Sequence, residues 1–365
     1  MFRVRKSFIA LSVLVLLATL AACGATPTST VVVPTQTPVV VRETVVVPVE
    51  VTAVPTAGKE QKVKTIAAVL PGSVGDSGFN GLAYLGLQRL AAEGYKTAYT
   101  EMVPTPDNES QLRSYAQQGY DLIIGHGFTF ADPALKVAPE FPNQYFFLSA
   151  TKCPTGVTPS PNICFQDYKE FEAFYLLGMV AGGMTKSNKV GWIGGMECPI
   201  GFTSLAAYTL GAREVNPNVK VMAVFPGSFD DPVAGKEAAL TMIANGADVL
   251  SHDADLTGIG VIFGAIEKGV YYLGANGDQS PYKPELCLTS MLNHIDLAIK
   301  MQPQRVEDGK FAGTWRPGLA EGIMDLAPFG PAVPQELRDL VLRRKQEISD
   351  GKFIVPEIHE RIDLQ

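Results

Sequence analysis

The stretch Ile66-Ala67-Ala68-Val69-Leu70-Pro71-Gly72-Ser73-Val74-Gly75-Asp76-Ser77-Gly78-Phe79-Asn80 decides how the chain is read. Ile66 to Leu70 is an apolar run of strand length. Pro71, Gly72 and Gly75 then stop the ladder and let backbone come close to a bound molecule. The segment after Asn80, Leu82-Ala83-Tyr84-Leu85-Gly86-Leu87-Gln88-Arg89-Leu90, has helical apolar spacing, so the whole reads strand, loop, helix. Ligands of open α/β sheets sit at such strand ends. Asp76 offers a carboxylate, Phe79 a flat apolar face and Asn80 an amide that both donates and accepts. Taken alone, the stretch is better read as an ordinary β–α turn in which Asp76 caps the helix.

The pattern repeats along the chain. Strand-like runs at Leu122-Ile123-Ile124, Tyr145 to Leu148, Val190 to Ile193, Val219 to Phe225, Val249-Leu250 and Tyr271 to Leu273 alternate with helical segments at 109–118, 134–139, 170–184, 203–215, 235–245 and 260–268. This implies parallel sheets covered on both faces, in two doubly wound lobes. The expected division is 63–165 plus about 291–325 for the first lobe, 166–290 for the second, and 326–365 packing on both. A chain that passes between lobes more than once makes a hinge, over which a cleft can close.

At 365 residues and 46% hydrophobic, the chain is long enough for two cores. A net charge of −7 with no basic block argues against nucleic acid. Residues 1–23 read as a targeting segment: Arg3, Arg5 and Lys6 precede an apolar run, and Leu20-Ala21-Ala22-Cys23 resembles the lipobox of bacterial lipoproteins, which makes Cys23 the expected lipid attachment. Residues 24–62 are Val, Thr and Pro repeated and read as an extended tether, with a reach on the order of 100 Å if fully stretched. Cys153 and Cys164 flank a short Pro- and Thr-rich loop and are the expected disulfide, while Cys198 and Cys287 are free or paired elsewhere.

Searches for enzyme chemistry find little. Gly235-Lys236 fails the phosphate-loop spacing, no GxSxG elbow occurs, and neither Gly125-His126-Gly127 nor Gly258-Ile259-Gly260 completes a dinucleotide fingerprint. No Cys-x-x-Cys exists to hold zinc. His252, Asp253 and Asp255 follow a strand end and suit polar contact with an organic ligand better than metal or catalysis. Neither enzymatic activity nor a cofactor is expected.

From about Lys64 to Lys352 the chain resembles the basic membrane protein family of bacterial lipoproteins, substrate-binding components of ABC importers that include purine nucleoside receptors. The resemblance rests on Asp76-Ser77-Gly78-Phe79-Asn80, Gly125-His126-Gly127-Phe128, Tyr175 to Gly182, Val190 to Met196, Gly227 to Pro232, Gly246 to Val249, Gly274 to Gln279 and Leu326 to Phe329, in that order. It implies a type I periplasmic-binding-protein fold, a small-molecule ligand and an ABC permease as partners, and a monomer on the outer face of the membrane. It further implies that Asp76 and Asn80 hold a purine edge, that Phe79 stacks on the ring, and that Asp278 binds ribose hydroxyls. Phe128 joins them, and Phe202 stands in for a second stacking aromatic, because Ser204 occupies the place where nucleoside receptors carry one. His252 and Asp255 resemble the motif of adenine-binding members. Nucleoside and free base both remain open, as do a riboflavin-like or sugar ligand and a role as a surface sensor.

Overall fold

The computed structural model describes residues 62–76 and 78–360; Cys23 and nearly all of the expected tether lie outside them. In the first sheet the strands are β1 (Thr65–Val69), β2 (Lys96–Thr100), β3 (Leu122–His126), β4 (Tyr145–Ser149), β5 (Ile163–Gln166) and β11 (Gly313–Trp315), in spatial order β11-β5-β4-β3-β1-β2 and parallel throughout. The second sheet is built from β6 (Lys189–Gly194), β7 (Lys220–Val224), β8 (Val249–Asp253), β9 (Tyr271–Gly274), β10 (Cys287–Asn293) and β12 (Met324–Leu326). Its order, β12-β10-β9-β8-β6-β7, repeats that of the first, with only β12 antiparallel. Each sheet has the doubly wound 2-1-3-4-5 order, whose direction reverses between its first and third strands.

Helices α1 (Phe79–Ala92), α2 (Asn108–Gln117) and α3 (Ala131–Val137) cover the first sheet, with α8 (Ile295–Lys300) and α9 (Gln302–Glu307). Their apolar faces make two clusters, one around Ala67, Ile123 and Phe146, the other around Ile66, Ile124, Phe147, Ile295 and Ile299. The second sheet is covered by α4 (Glu170–Met184), α5 (Pro199–Val215), α6 (Pro232–Ala244), α7 (Asp255–Lys268) and α10 (Gln335–Ser349). Glycine permits two close crossings: a methyl at Gly178 or Gly211 would strike the carbonyl of Tyr208 or Tyr175 across α4 and α5, and at Gly235 or Gly260 that of Thr257 or Pro232 across α6 and α7.

The chain crosses between the lobes three times, and the crossings are bonded to one another: Asp167 N donates to Trp315 O (3.0 Å), Lys169 N to Pro317 O (2.9 Å) and His294 N to Ile323 O (2.8 Å). Arg316 sits among them, paired with Asp167 (2.9 Å) and with Glu357 of the C-terminal segment (2.7 Å). The segment that returns to the first lobe is therefore α8 to β11, while β10, placed at a lobe junction by the sequence, is a strand of the second sheet.

The expected Cys153–Cys164 bridge is absent; both thiols are free, as are Cys198 and Cys287. The loop is short enough, but sequence spacing does not fix which face a side chain takes. Cys164, on β5, packs in the cluster on one face of the first sheet, and Cys153 packs against the cluster on the other.

Candidate functional site

The carboxyl ends of β1, β3, β4, β6, β8 and β9 converge on a cavity of about 290 Å³. The first lobe contributes Pro71, Gly72, Phe79, Asn80, Gly127, Phe128 and Ala150, and the second Gly194, Gly195, Phe225, Phe229, Asp230, Asp253, Asp255 and Asn276. Tyr168 and Glu170 reach it from the first crossing. Ala150, Asp255 and Asn276 hold positive φ of 56°, 45° and 65°, a conformation that costs non-glycine residues on the order of 1 kcal/mol or more and concentrates at ligand sites.

On the first-lobe side Asp76 organises the loop instead of lining the cavity. Its Oδ1 accepts from Gly78 N (2.9 Å) and Gly81 N (2.8 Å), and its Oδ2 from Asn80 N (2.9 Å) and Asn80 Nδ2 (2.7 Å). Four bonds fill the lone-pair positions of a carboxylate. They satisfy N–H groups of the first turn of α1, so the capping alternative describes Asp76. Asn80 Oδ1 accepts from Gly72 N (3.1 Å), leaving one Nδ2 hydrogen for a ligand. Phe79 lies over His126 at 3.8 Å between centroids and 24° between planes. The His126 ring donates from Nε2 to Phe79 O (3.0 Å), and burial pulls its pKa down to about 4, so it is a neutral support for the Phe79 ring.

Opposite stands a wall of carboxylates. Glu170 accepts from Ser204 Oγ (2.8 Å), and burial with Asp253 beside it holds its carboxyl well above the ordinary range. Kept protonated, Glu170 donates to Asp253, which burial pushes up to about 6 despite that bond. Asp255 accepts from Asn276 Nδ2 (2.9 Å) and is also raised, by burial and then by Asp76, Asp253 and Asp230. Among the described residues no lysine, arginine or histidine lines the cavity, and no group of His, Cys, Asp and Glu is placed to hold a metal ion.

Phe79, Asn80, Phe128 and Asp255 are thus brought together; the other expected residues stand outside the lining. Asp278 is exposed, its Oδ1 accepting from Ser280 N (2.9 Å). His252 is a core histidine, Nε2 donating to Gln279 Oε1 (2.8 Å), its pKa lowered by burial to about 4. Phe202 packs edge-on against Phe225, at 5.6 Å and 77°, behind the wall that Phe225 itself forms. Tyr168, Glu170, Phe225, Phe229 and Asn276 were missed. Phe229 and Asn276 lie in stretches that carried the family resemblance, whereas nothing in the sequence directs Tyr168 and Glu170 to the cleft.

Residues 63–359 match the family model described as ABC transporter substrate-binding protein, PnrA-like. The chain belongs to this Bmp family. The Bmp chain is 29% identical to the ABC transporter nucleoside-binding protein BmpA of Lactococcus lactis, over 82% of its own length and 92% of the relative's. It is 26% identical to a purine-binding protein of Brucella abortus, over 80% and 83%. Among solved structures, an ABC transporter solute-binding protein of Aeropyrum pernix superposes with a TM-score of 0.72 at 26% identity, covering 81% of this chain and 94% of that one. The Bmp protein is accordingly a two-lobed ABC substrate-binding protein of the type I periplasmic-binding fold and not an enzyme. Among its described residues no helix is long and apolar enough to cross a membrane.

Proposed function

We propose that this Bmp protein is a lipid-anchored receptor that captures a purine nucleoside or purine base between its lobes and passes it to an ABC permease. The observation that carries the reading is the pairing of Phe79, backed by His126 at 3.8 Å, with Asn80, whose amide keeps one hydrogen free at the edge of the same cavity. A flat apolar face beside a directional donor suits a nitrogen heteroaromatic ring, with its face on Phe79 and a ring nitrogen or carbonyl accepting from Asn80. Asp253, Asp255 and Asn276 offer acceptors for amine or hydroxyl donors, the role that the family resemblance implied for Asp278. The nucleoside-binding and purine-binding names of two relatives agree with this reading.

Calorimetry with adenosine, guanosine, inosine and adenine on the folded protein tests it. Binding of at least one is expected, and no heat from any of the four sinks the purine reading. The lipid anchor is tested separately: Cys23→Ala should move the protein from the membrane to the soluble fraction.

A further inference from the structure

We propose that Gln279 and His252, neither of which lines the cavity, are positioning residues for the ligand site: together they close the loop 275–278 on itself and hold Asn276 in the cleft. The inference rests on the reading of the interlobe cavity as the ligand site and holds for a purine or for another small ligand.

The loop leaves β9 at Gly274 and ends at Gln279, whose side chain folds back over the loop's own start. Gln279 Oε1 accepts from two donors, Ala275 N (3.0 Å) at the head of the loop and His252 Nε2 (2.8 Å) on β8. A backbone N–H can only donate, so the atom that it meets is the amide oxygen. His252 must then donate from Nε2 and carry its lone pair on Nδ1. Nδ1 has no partner and faces α7, where Gly258 leaves room for the ring, since a methyl there would strike it. Strand β8, helix α7 and the loop thus close on one buried imidazole. The main chain of Gln279 is held too, its N donating to Ser290 Oγ (3.1 Å) and its O accepting from Tyr272 Oη (3.0 Å).

What this closure presents to the cleft is Asn276. It lines the cavity, donates from Nδ2 to Asp255 Oδ1 (2.9 Å) and accepts at its carbonyl from Asn293 N (3.1 Å). Its φ of 65° lies in the left-handed region, a conformation that persists where the surroundings fix it. Asp278, in the same loop, is exposed and accepts from Ser280 N, so it is Asn276 that the loop offers to a ligand. Without the Gln279 amide, the donors of two buried residues, Ala275 and His252, lose their acceptor, and the loop loses the constraint that keeps Asn276 against Asp255. A contact residue that is held before the ligand arrives need not be ordered on binding, so the loss is read in affinity.

The test follows, by calorimetry, whichever of adenosine, guanosine, inosine and adenine binds the parent most tightly. Gln279→Ala and Asn276→Ala should each weaken it roughly tenfold or more. Combining the two should cost less than about twofold beyond Asn276→Ala alone, because Gln279 acts through Asn276. His252→Leu should lose what Gln279→Ala loses, whereas His252→Gln, whose Nε2 can still donate to Gln279, should come within about threefold of the parent. Parent affinity in Gln279→Ala or Asn276→Ala, losses that add in the double variant, or no rescue by His252→Gln would overturn the inference and leave the purine reading standing. If none of the four probes binds the parent, the purine reading falls and the ligand-free crystal structure of Gln279→Ala decides. Asn276 parted from Asp255 upholds the inference; Asn276 in its parent place overturns it.

Discussion

At the residue scale, the cleft separates groups that build the site from groups left free to bind. Asp76 holds four hydrogen bonds and anchors the start of α1. Asp76→Ala should lower unfolding stability by about 2 kcal/mol or more without any ligand present, read by urea denaturation. Asp278→Ala, at an exposed turn, should leave stability and ligand affinity within about 0.5 kcal/mol of the parent. Glu170 gives a pH signature. Its folded pKa is raised above the unfolded one, so the folded state holds a proton that the unfolded state loses as pH climbs past the ordinary carboxylate range, and the cost grows toward neutrality. Glu170→Gln removes that cost; it should raise the melting temperature of the ligand-free protein more at pH 7.5 than at pH 5, measured by calorimetry. His126 and His252, both depressed to about 4, act in the opposite sense, destabilising the fold as pH falls below the ordinary histidine range, and they are present in both proteins compared.

At the scale of elements, the helix pairs α4–α5 and α6–α7 are set by glycine. Gly178→Ala and Gly211→Ala each put a methyl against a backbone carbonyl of the facing helix, which cannot rotate away, so each should cost at least 1–3 kcal/mol by chemical denaturation. Gly72→Ala acts differently: its methyl meets Asn80 Nδ2 at 2.5 Å, and the expected loss is in ligand binding, because the amide must leave its bonds to Gly72 and Asp76. Buried strands such as β1, β3 and β4 were legible in the sequence because both faces are apolar and the runs are continuous. The edge strand β2, Lys96-Thr97-Ala98-Tyr99-Thr100, was not, because only Ala98 is buried and no apolar run marks it. β11 and β12 are three residues each, too short for any periodicity. The same limit explains the site. Phe79 and Asn80 follow a visible strand, whereas Asp253 and Glu170 meet only because the first crossing segment brings α4 against the end of β8, a contact that spacing along the chain does not encode.

At the scale of the molecule, opening and closing must bend three crossings that are bonded side by side. Arg316, partly exposed and paired with Asp167 and Glu357, ties the C-terminal segment to that hinge. Exposed pairs contribute about 0–1 kcal/mol, so Arg316→Ala should shift the melting temperature little. Its effect should appear in the rates of ligand association and release, followed by stopped-flow fluorescence, and unchanged rates would remove Arg316 from hinge control.

The interleaving of the two sheets also sets the order in which the lobes can close. β5 emerges with its outer edge unpaired, and its partner β11 begins at Gly313, after the second lobe's helices α4 to α7 and strands β6 to β10. Ile295, Ile299, Val306 and Phe311, which complete the apolar cover over Ile66 and Phe147, arrive equally late. Until those residues join it, the first lobe keeps a bare strand edge and an open apolar face. A chain cut anywhere within the second lobe should therefore leave the first one unfinished as well, without β11 on its sheet and without α8 and α9 over Ile66 and Phe147.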